Sequence, residues 1–302
     1  AFANVNASPE IDKEKRKVAF TIFVDPGKRV YVRRINVTGN TKTRDEVIRR
    51  EVRQMEGGWY DADKVTASKQ RVDKLGFFSE VAVETPAVSG TSDQLDVNLN
   101  VTEKPTGNLM LGVGTSSTDK VILSGSIAQN NFMGSGNNVA VQVNSAKTYR
   151  TYVFSYTNPY FTQDGVSQGF DVYHRTFNTT STTLAYYSSS STGGAIRFGF
   201  PIGEKESIGI GLGLDSTSIK TYEQPPQYYK DYVARFGETN LSVPLTLSWA
   251  SDGKDSYFFP TKGTFQRASL EVALPGGDLT YYRASYQLQH FVPLNSKFTL
   301  ML

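Results

Sequence analysis

The chain of 302 residues contains no cysteine, which removes disulfides and thiol chemistry and says little about compartment. It has only two histidines, His174 and His290, and neither has a partner at metal-ligand spacing, so both read as rim or surface residues and no metal site is expected. No run of eighteen or so apolar residues occurs, which excludes a membrane-spanning helix. No serine sits in a nucleophile elbow, and isolated carboxylates such as Asp171 and Glu271 carry no catalytic constellation. A formal charge of +3, with no basic run interleaved with aromatics, argues against nucleic acid as a partner. These absences leave a chain that is expected to be neither an enzyme nor a cofactor carrier.

Charge is divided unevenly. Residues 1–104 hold 34 of the 61 Asp, Glu, Lys and Arg residues, and the longer remainder holds 27. The first part looks soluble. From about residue 107 onward the chain repeats one phrase: about ten residues of alternating apolar and polar or tiny side chains, then a turn, which is the pattern of a transmembrane β-barrel. Leu241, Val243, Leu245, Leu247 and Trp249 alternate with Ser242, Pro244, Thr246 and Ser248, giving one oily face and one wet face. The mid-strand charges Asp171, Arg197, Asp215, Arg267, Glu271 and Arg283 all fall on the wet parity. An Arg or Lys on the lipid face would cost about 2–4 kcal/mol at mid-bilayer, so this segregation is what a barrel requires. Strands are expected at 107–115, 120–130, 137–147, 150–158, 167–177, 183–201, 206–219, 239–251, 263–274, 280–292 and from 297, about eleven in all.

Several features invite other readings. Gly209, Gly211 and Gly213 form a Gly-x-Gly-x-Gly run, but alternation places all three on the wet face of a strand, so a phosphate site is not expected. The segment 223–237, with Pro225, Pro226, Tyr228, Tyr229, Tyr232, Val233 and Phe236, is expected to be an outer loop with a short surface helix, either capping the lumen or touching the membrane interface. Tyr160 and Phe161, Tyr186 and Tyr187, Tyr257 to Phe259, and Tyr281 and Tyr282 fall near strand ends, where interfacial aromatic girdles belong. The charge cluster Lys13–Lys17 reads as a solvated turn, with lipid headgroup contact as the alternative.

Residues 1–26 contain one clear strand, Val18–Val24. Residues 27–104 spell an α+β unit in the order β-α-α-β-β, with strands Tyr31–Thr38, Ser79–Thr85 and Gln94–Val101. Its first helix is expected to open at Thr43 with Glu46 as a capping box and to bury Val47, Ile48, Val52 and Met55. Its second is expected over Asp61–Leu75, with Ala62, Val65, Val72 and Leu75 inward and Gly76 as the stop.

That order and several runs of residues resemble the polypeptide-transport-associated (POTRA) domain nearest the barrel in the BamA family of outer-membrane protein assembly factors. The resemblance rests on Arg34 to Asn40, on Arg49, Arg50 and Glu51 followed by Arg53, Gln54, Met55, Glu56, Gly57 and Trp59, and on Leu75 to Phe78. It continues in the barrel at Thr157 to Phe161 and Tyr257 to Gly263. It implies a membrane β-barrel, antiparallel and incomplete here with about eleven of an expected sixteen strands, preceded by a POTRA domain. Residues 1–26 would be the last strands of a preceding POTRA domain, 27–104 a POTRA domain, and 105–302 the N-terminal part of the barrel. The family's late Val-Arg-Gly-aromatic loop and closing strand are not reached by Leu302, and Ala1–Pro9 show no basic or apolar leader region, so the residues are expected to be part of a longer precursor.

The resemblance further implies a bacterial outer-membrane location with the POTRA part in the periplasm, and no cofactor. Its partners would be unfolded outer-membrane proteins, accessory outer-membrane lipoproteins and the lipid bilayer. The family's acidic lipoprotein contact carries over to Glu51. The first barrel strand places Leu109, Leu111 and Val113 outward and Asn108, Met110, Gly112 and Gly114 inward, ending at Thr115. Two glycines weaken it, so its edge is expected to be loosely sealed and open to an incoming client strand. The alternatives are a two-partner secretion transporter that passes polypeptide through the lumen and a passive porin-like channel.

Overall fold

The computed structural model describes residues 3–12, 17–26, 29–178, 187–203, 205–222, 225–256, 259–295 and 298–302. The chain divides into two compact units: residues 1–106 with 133–136, and residues 107–132 with 137–302. Lys13–Arg16, Tyr186, Tyr257 and Phe258, and the expected strand residues 183–186 and 297, lie outside the described residues.

The first unit begins with a hairpin, β1 (Ala3–Asp12) and β2 (Lys17–Pro26), paired antiparallel from Ala3 opposite Pro26 to Asp12 opposite Lys17. Only β2 is legible in the sequence. Strand β1 is polar and carries Pro9, and it forms because β2 supplies an unbroken partner. Then follow β3 (Tyr31–Thr38), α1 (Asp45–Arg49), α2 (Ala62–Lys74), β4 (Phe78–Glu84) and β5 (Gln94–Glu103). The sheet order is β3-β5-β4, with β5 parallel to β3 and antiparallel to β4. Period-two burial of Leu95, Val97, Leu99 and Val101 on β5 meets Val47 and Ile48 of α1 and Val65 and Val72 of α2 in one core. Each such aliphatic side chain contributes about 1.5–3 kcal/mol by leaving water.

The structure departs from the sequence pattern at three local points. The helix at Thr43 does not form a capping box. Its N-cap is Arg44, without a side-chain cap, and the loop amides of Lys42 and Thr43 donate instead to Glu103 at the far end of β5. Helix α1 ends at Arg49, so Met55 lies in the following loop, 77% exposed, rather than on a buried face. Helix α2 begins at Ala62, which is exposed, while Asp61 caps it by accepting from Asp63 N and Lys64 N. The expected turn at Gly39 and Asn40 is present. Gly39 has φ 89°, and a Cβ there would fall 1.9 Å from Val101 O, so only glycine fits.

The second unit is one antiparallel sheet. Its strands are β6 (Gly107–Ser116), β7 (Lys120–Phe132), β8 (Asn137–Ser145), β9 (Tyr149–Asn158), β10 (Ser167–Asn178), β11 (Tyr187–Pro201) and β12 (Glu206–Thr221). Helix α3 (Gln227–Phe236) precedes β13 (Thr239–Ser242), β14 (Pro244–Asp252), β15 (Gly263–Ala273), β16 (Tyr282–Pro293) and β17 (Thr299–Met301). Neighbours in sequence are neighbours in the sheet, from β6 at one end to β17 at the other. The single strand expected over 239–251 is broken between Ser242 and Pro244. Proline has no N–H to give the ladder, yet Ser242 opposite Asp215 and Leu245 opposite Leu212 keep one register across the break. No helix among the described residues is long and apolar enough to cross a membrane.

Candidate functional site

The register turns the sequence alternation into two faces. Thr157, Gly169, Arg197, Gly211, Thr246, Glu271 and Arg283 stand opposite one another in turn, one cross-sheet row running from β9 to β16. Arg197 Nη2 lies 2.7 Å from Asp171 Oδ2, and Arg283 Nη1 lies 3.7 Å from Glu271 Oε1. Asp215 accepts from Tyr173 Oη and, at 2.6 Å, from Thr217 Oγ1. Arg197, Arg267 and Glu271 share a concavity of about 540 Å³ floored by Gly209, Gly211 and Gly213. All six charges read as wet-face residues therefore lie on one face. The glycine run lines that face too, and a Cβ at Gly211 would crowd Arg197 Cγ at 3.3 Å.

The outer loop is resolved in favour of the wet face. Tyr229 of α3 stacks on Tyr187 with centroids 4.1 Å apart, and Tyr187 shares its strand face with Arg197. The histidines lie on the other parity: His174 Nδ1 is 2.7 Å from Thr192 Oγ1, and His290 Nδ1 is 2.8 Å from Thr264 Oγ1. Among the described residues no group of three metal-ligating side chains converges.

Strand β6 holds Asn108, Leu109, Met110, Leu111, Gly112, Val113, Gly114 and Thr115 in one continuous ladder with β7, from Gly107 opposite Gln129 to Ser116 opposite Lys120. Among the described residues β6 pairs with β7, and β17 with β16. Leu111 and Val113 are 80% and 79% exposed. On their face the partner positions are Gly125 and Leu123; on the opposite face Gly112 meets Ser124, whose Oγ donates to Gly112 O at 3.3 Å. Gly112 and Gly114 present only backbone there. The outer end of this hairpin is fastened by Asp119, which accepts from Thr148 N at 2.9 Å and from its hydroxyl. Nothing in the local sequence announces that clasp, because its partners are 29 residues apart.

In the first unit, β4 is an edge, since β5 is central. Glu51 is placed otherwise than a solvated helix charge. It sits in the turn after α1, only 5% exposed, with Oε2 2.9 Å from Arg71 Nη2 on α2. Buried Gln54 organises the loop beyond it, donating to Trp59 O at 2.9 Å and accepting from Asp61 N at 3.1 Å. This leaves Met55 and Trp59 at the surface, with Trp59 stacked on Tyr31 at 4.2 Å. At the end of β5, Glu103 accepts from Thr43 N, Thr41 Oγ1 and Lys42 N at 2.6, 2.7 and 3.0 Å. Partial burial pushes its carboxyl up, but these donors outweigh it and hold the pKa at about 2.

Residues 131–302 match the Omp85 superfamily domain, and residues 30–104 match the POTRA family, described as a surface antigen variable number repeat. The outer membrane protein assembly factor BamA of Neisseria meningitidis serogroup B is 36% identical over 312 residues, covering all of this chain and 39% of that protein. BamA of Nitratidesulfovibrio vulgaris is 31% identical, covering 96% of this chain and 36% of its own length. This chain thus spans under two fifths of these curated relatives. Among solved structures, BamA from Haemophilus ducreyi lacking POTRA domains 1–3 superposes with a TM-score of 0.75 at 31% identity, over 98% of this chain and 58% of that one. CdiB from Acinetobacter baumannii, at 13% identity over 97% of this chain and 53% of its own, has a TM-score of 0.56 and shares the fold alone. The chain belongs to the Omp85 superfamily as a BamA-type outer-membrane protein, a POTRA domain followed by strands of a membrane β-barrel.

Proposed function

We propose that this protein is a non-enzymatic insertase that folds β-barrel proteins into the bacterial outer membrane by β-augmentation at β6. The observation that carries the proposal is the make-up of Asn108–Thr115, the first strand of the sheet, in which Gly112 and Gly114 present only backbone and pack nothing against a neighbouring strand. In hydrocarbon each unpaired backbone group costs several kcal/mol, so an edge that is hard to seal favours any strand that pairs with it. The terminal strand of an unfolded client pairs with β6, later hairpins add behind it, and the client separates as its own barrel. Backbone pairing supplies the drive, and no nucleotide enters.

The domain assignment supports the same reading. Residues 27–104 act as a periplasmic POTRA domain, and residues 1–26 as strands of a preceding one, which accords with the exposed apolar Val18, Phe20 and Ile22 on β2. Strand β4 offers clients or neighbouring POTRA domains a second edge. Accessory lipoproteins of the assembly complex dock near Glu51. With its carboxylate engaged by Arg71, we assign Glu51 the role of holding α2 against the Gln54–Trp59 loop, so that the loop rather than the charge meets the partner.

The test uses the absence of native cysteine. Single cysteines at Leu111 or Val113, opposite one in a client's last strand, are expected to crosslink during assembly. Absence of crosslinks while the client folds overturns augmentation at this edge. Reconstitution of the full-length protein with unfolded client distinguishes the alternatives: client folding without steady conductance supports the insertase, and polypeptide or solute flux without client folding supports the transporter or channel.

A further inference from the structure

On the apolar face of the second unit, side-chain chemistry changes abruptly along the strands. Phe170, Ile196 and Leu212 stand opposite one another, and the next row is Phe154, Val172, Gly194 and Leu214. Two residues further out the row is Tyr152, His174, Thr192 and Ser216, and the following one is Arg150, Thr176, Ser190, Ser218 and Thr239. Asn178, Ser188 and Lys220 complete it. Between β9 and β12 the change is in kind, from aliphatic and aromatic to hydroxyl, imidazole and cation, bounded in the Tyr152 row by Val143 and Leu241, with no carboxylate at any of these positions. From Ile208 to Leu214 the apolar rows below span about 20 Å of strand, a large part of a membrane's hydrocarbon depth.

The patch is preorganised. Both imidazole nitrogens of His174 meet threonine hydroxyls, Thr192 Oγ1 at 2.7 Å and Thr176 Oγ1 at 3.1 Å, and its ring lies against Tyr152. Thr239 Oγ1 donates to Ser218 Oγ at 3.2 Å. Arg150 and Lys220 are exposed at its two flanks, three strand spacings or about 14 Å apart across the sheet. The rows lie at the end of the sheet away from Gly107, where the chain enters β6, so with the POTRA domain periplasmic they face the outer leaflet.

The geometry points to a binding site for the phosphorylated saccharide headgroup of an outer-leaflet glycolipid. Its acyl chains would lie on the Leu214 and Val172 rows, its sugar hydroxyls would meet the Ser and Thr rows, and phosphates at its two ends would meet Arg150 and Lys220. A phosphatidylglycerol headgroup carries one phosphate on a short stem and cannot engage both cations while covering the hydroxyl rows between them. This inference rests on the outer-membrane location and not on the insertase reading.

The test is lipid retention by the full-length protein in detergent, read by native mass spectrometry against three probes: a bis-phosphorylated acylated disaccharide, its dephosphorylated form and phosphatidylglycerol. Wild type is expected to retain the bis-phosphorylated probe at least ten-fold better than either other probe. Arg150→Ala with Lys220→Ala is expected to lose about ten-fold for that probe and nothing for phosphatidylglycerol. Lys220→Gln, at an exposed strand end, is read alone with a loss of about three-fold if the double variant does not fold. Equal retention of phosphatidylglycerol by wild type, or unchanged retention of the bis-phosphorylated probe by the variants, overturns the proposal.

Discussion

Tyr173 reaches across Gly193 to Asp215. The three residues stand opposite one another on β10, β11 and β12, and a Cβ at position 193 would fall 2.7 Å from the phenol oxygen and 2.6 Å from Leu214 O. The ring occupies the space that any larger residue would need, and its hydroxyl donates to the carboxylate on the far strand. Gly193→Ala is therefore expected to displace the ring and break the hydrogen bond together, costing about 1–3 kcal/mol. Tyr173→Phe removes the hydrogen bond only, at about 1–2 kcal/mol. The double variant should cost less than the sum, because each change removes the same interaction. Urea unfolding in lipid vesicles measures all three.

Glu103 gives the POTRA domain an acid-sensitive fastening. Its folded pKa of about 2 lies below its ordinary value of 4.5, so the folded state favours the ionised form. The stabilisation is fully present above about pH 4.5 and is lost as pH falls toward 2, since the unfolded chain then takes up the proton first. Thermal melts of a fragment covering residues 27–106 should show a flat midpoint from pH 7 to 5 and a decline below. Glu103→Gln should lower the midpoint at pH 7 and flatten the decline. An unchanged acid slope in the variant would place the effect on other carboxylates.

That fastening also shows where sequence reading stops. Alternation is a local signal, so the strands, the two faces and the segregation of Arg197, Glu271 and Arg283 were visible from the order of residues alone. The Thr43 and Glu46 spacing suggests a capping box because it is a local pattern, whereas the carboxylate that satisfies the loop amides comes from residue 103. The spacing of Met55 continues the α1 stripe and suggests a core position, but the helix ends at Arg49 and Gln54 folds the chain into a loop. At the candidate edge, the strand and its glycines are legible; the register that sets Gly112 opposite Ser124 follows from pairing, which no single strand encodes.

Glu51 and Arg71 form an ion pair that is largely removed from water on the carboxylate side. Removing one partner of such a pair leaves a charge poorly compensated, so Glu51→Ala is expected to destabilise the POTRA domain by about 3 kcal/mol. Replacing both by apolar residues of similar size should recover most of the loss. A double-mutant cycle by chemical denaturation of the same fragment checks this. If Glu51→Ala leaves stability unchanged, its carboxylate is free to serve a partner directly, and the positioning role assigned to it fails.

The two faces of β14 predict opposite outcomes for one substitution. Leu247 stands opposite Ile210 and Leu270 on the apolar face, while its neighbour Thr246 stands between Gly211 and Glu271 on the polar one. Leu247→Arg places a guanidinium in hydrocarbon, at about 2–4 kcal/mol near the bilayer midplane. Thr246→Arg enters the concavity that already holds Arg197, Arg267 and Glu271, where water and the Glu271 carboxylate offset the repulsion between cations, and is expected to cost under about 1 kcal/mol. Folding of the full-length protein into vesicles, followed by gel mobility with and without heating, should show Leu247→Arg folding poorly and Thr246→Arg folding like wild type. Equal tolerance of both would mean that β14 does not face lipid on its Leu247 side, and the assignment of faces across the whole sheet would fall with it, because the register ties every strand from β9 to β16 to the same alternation.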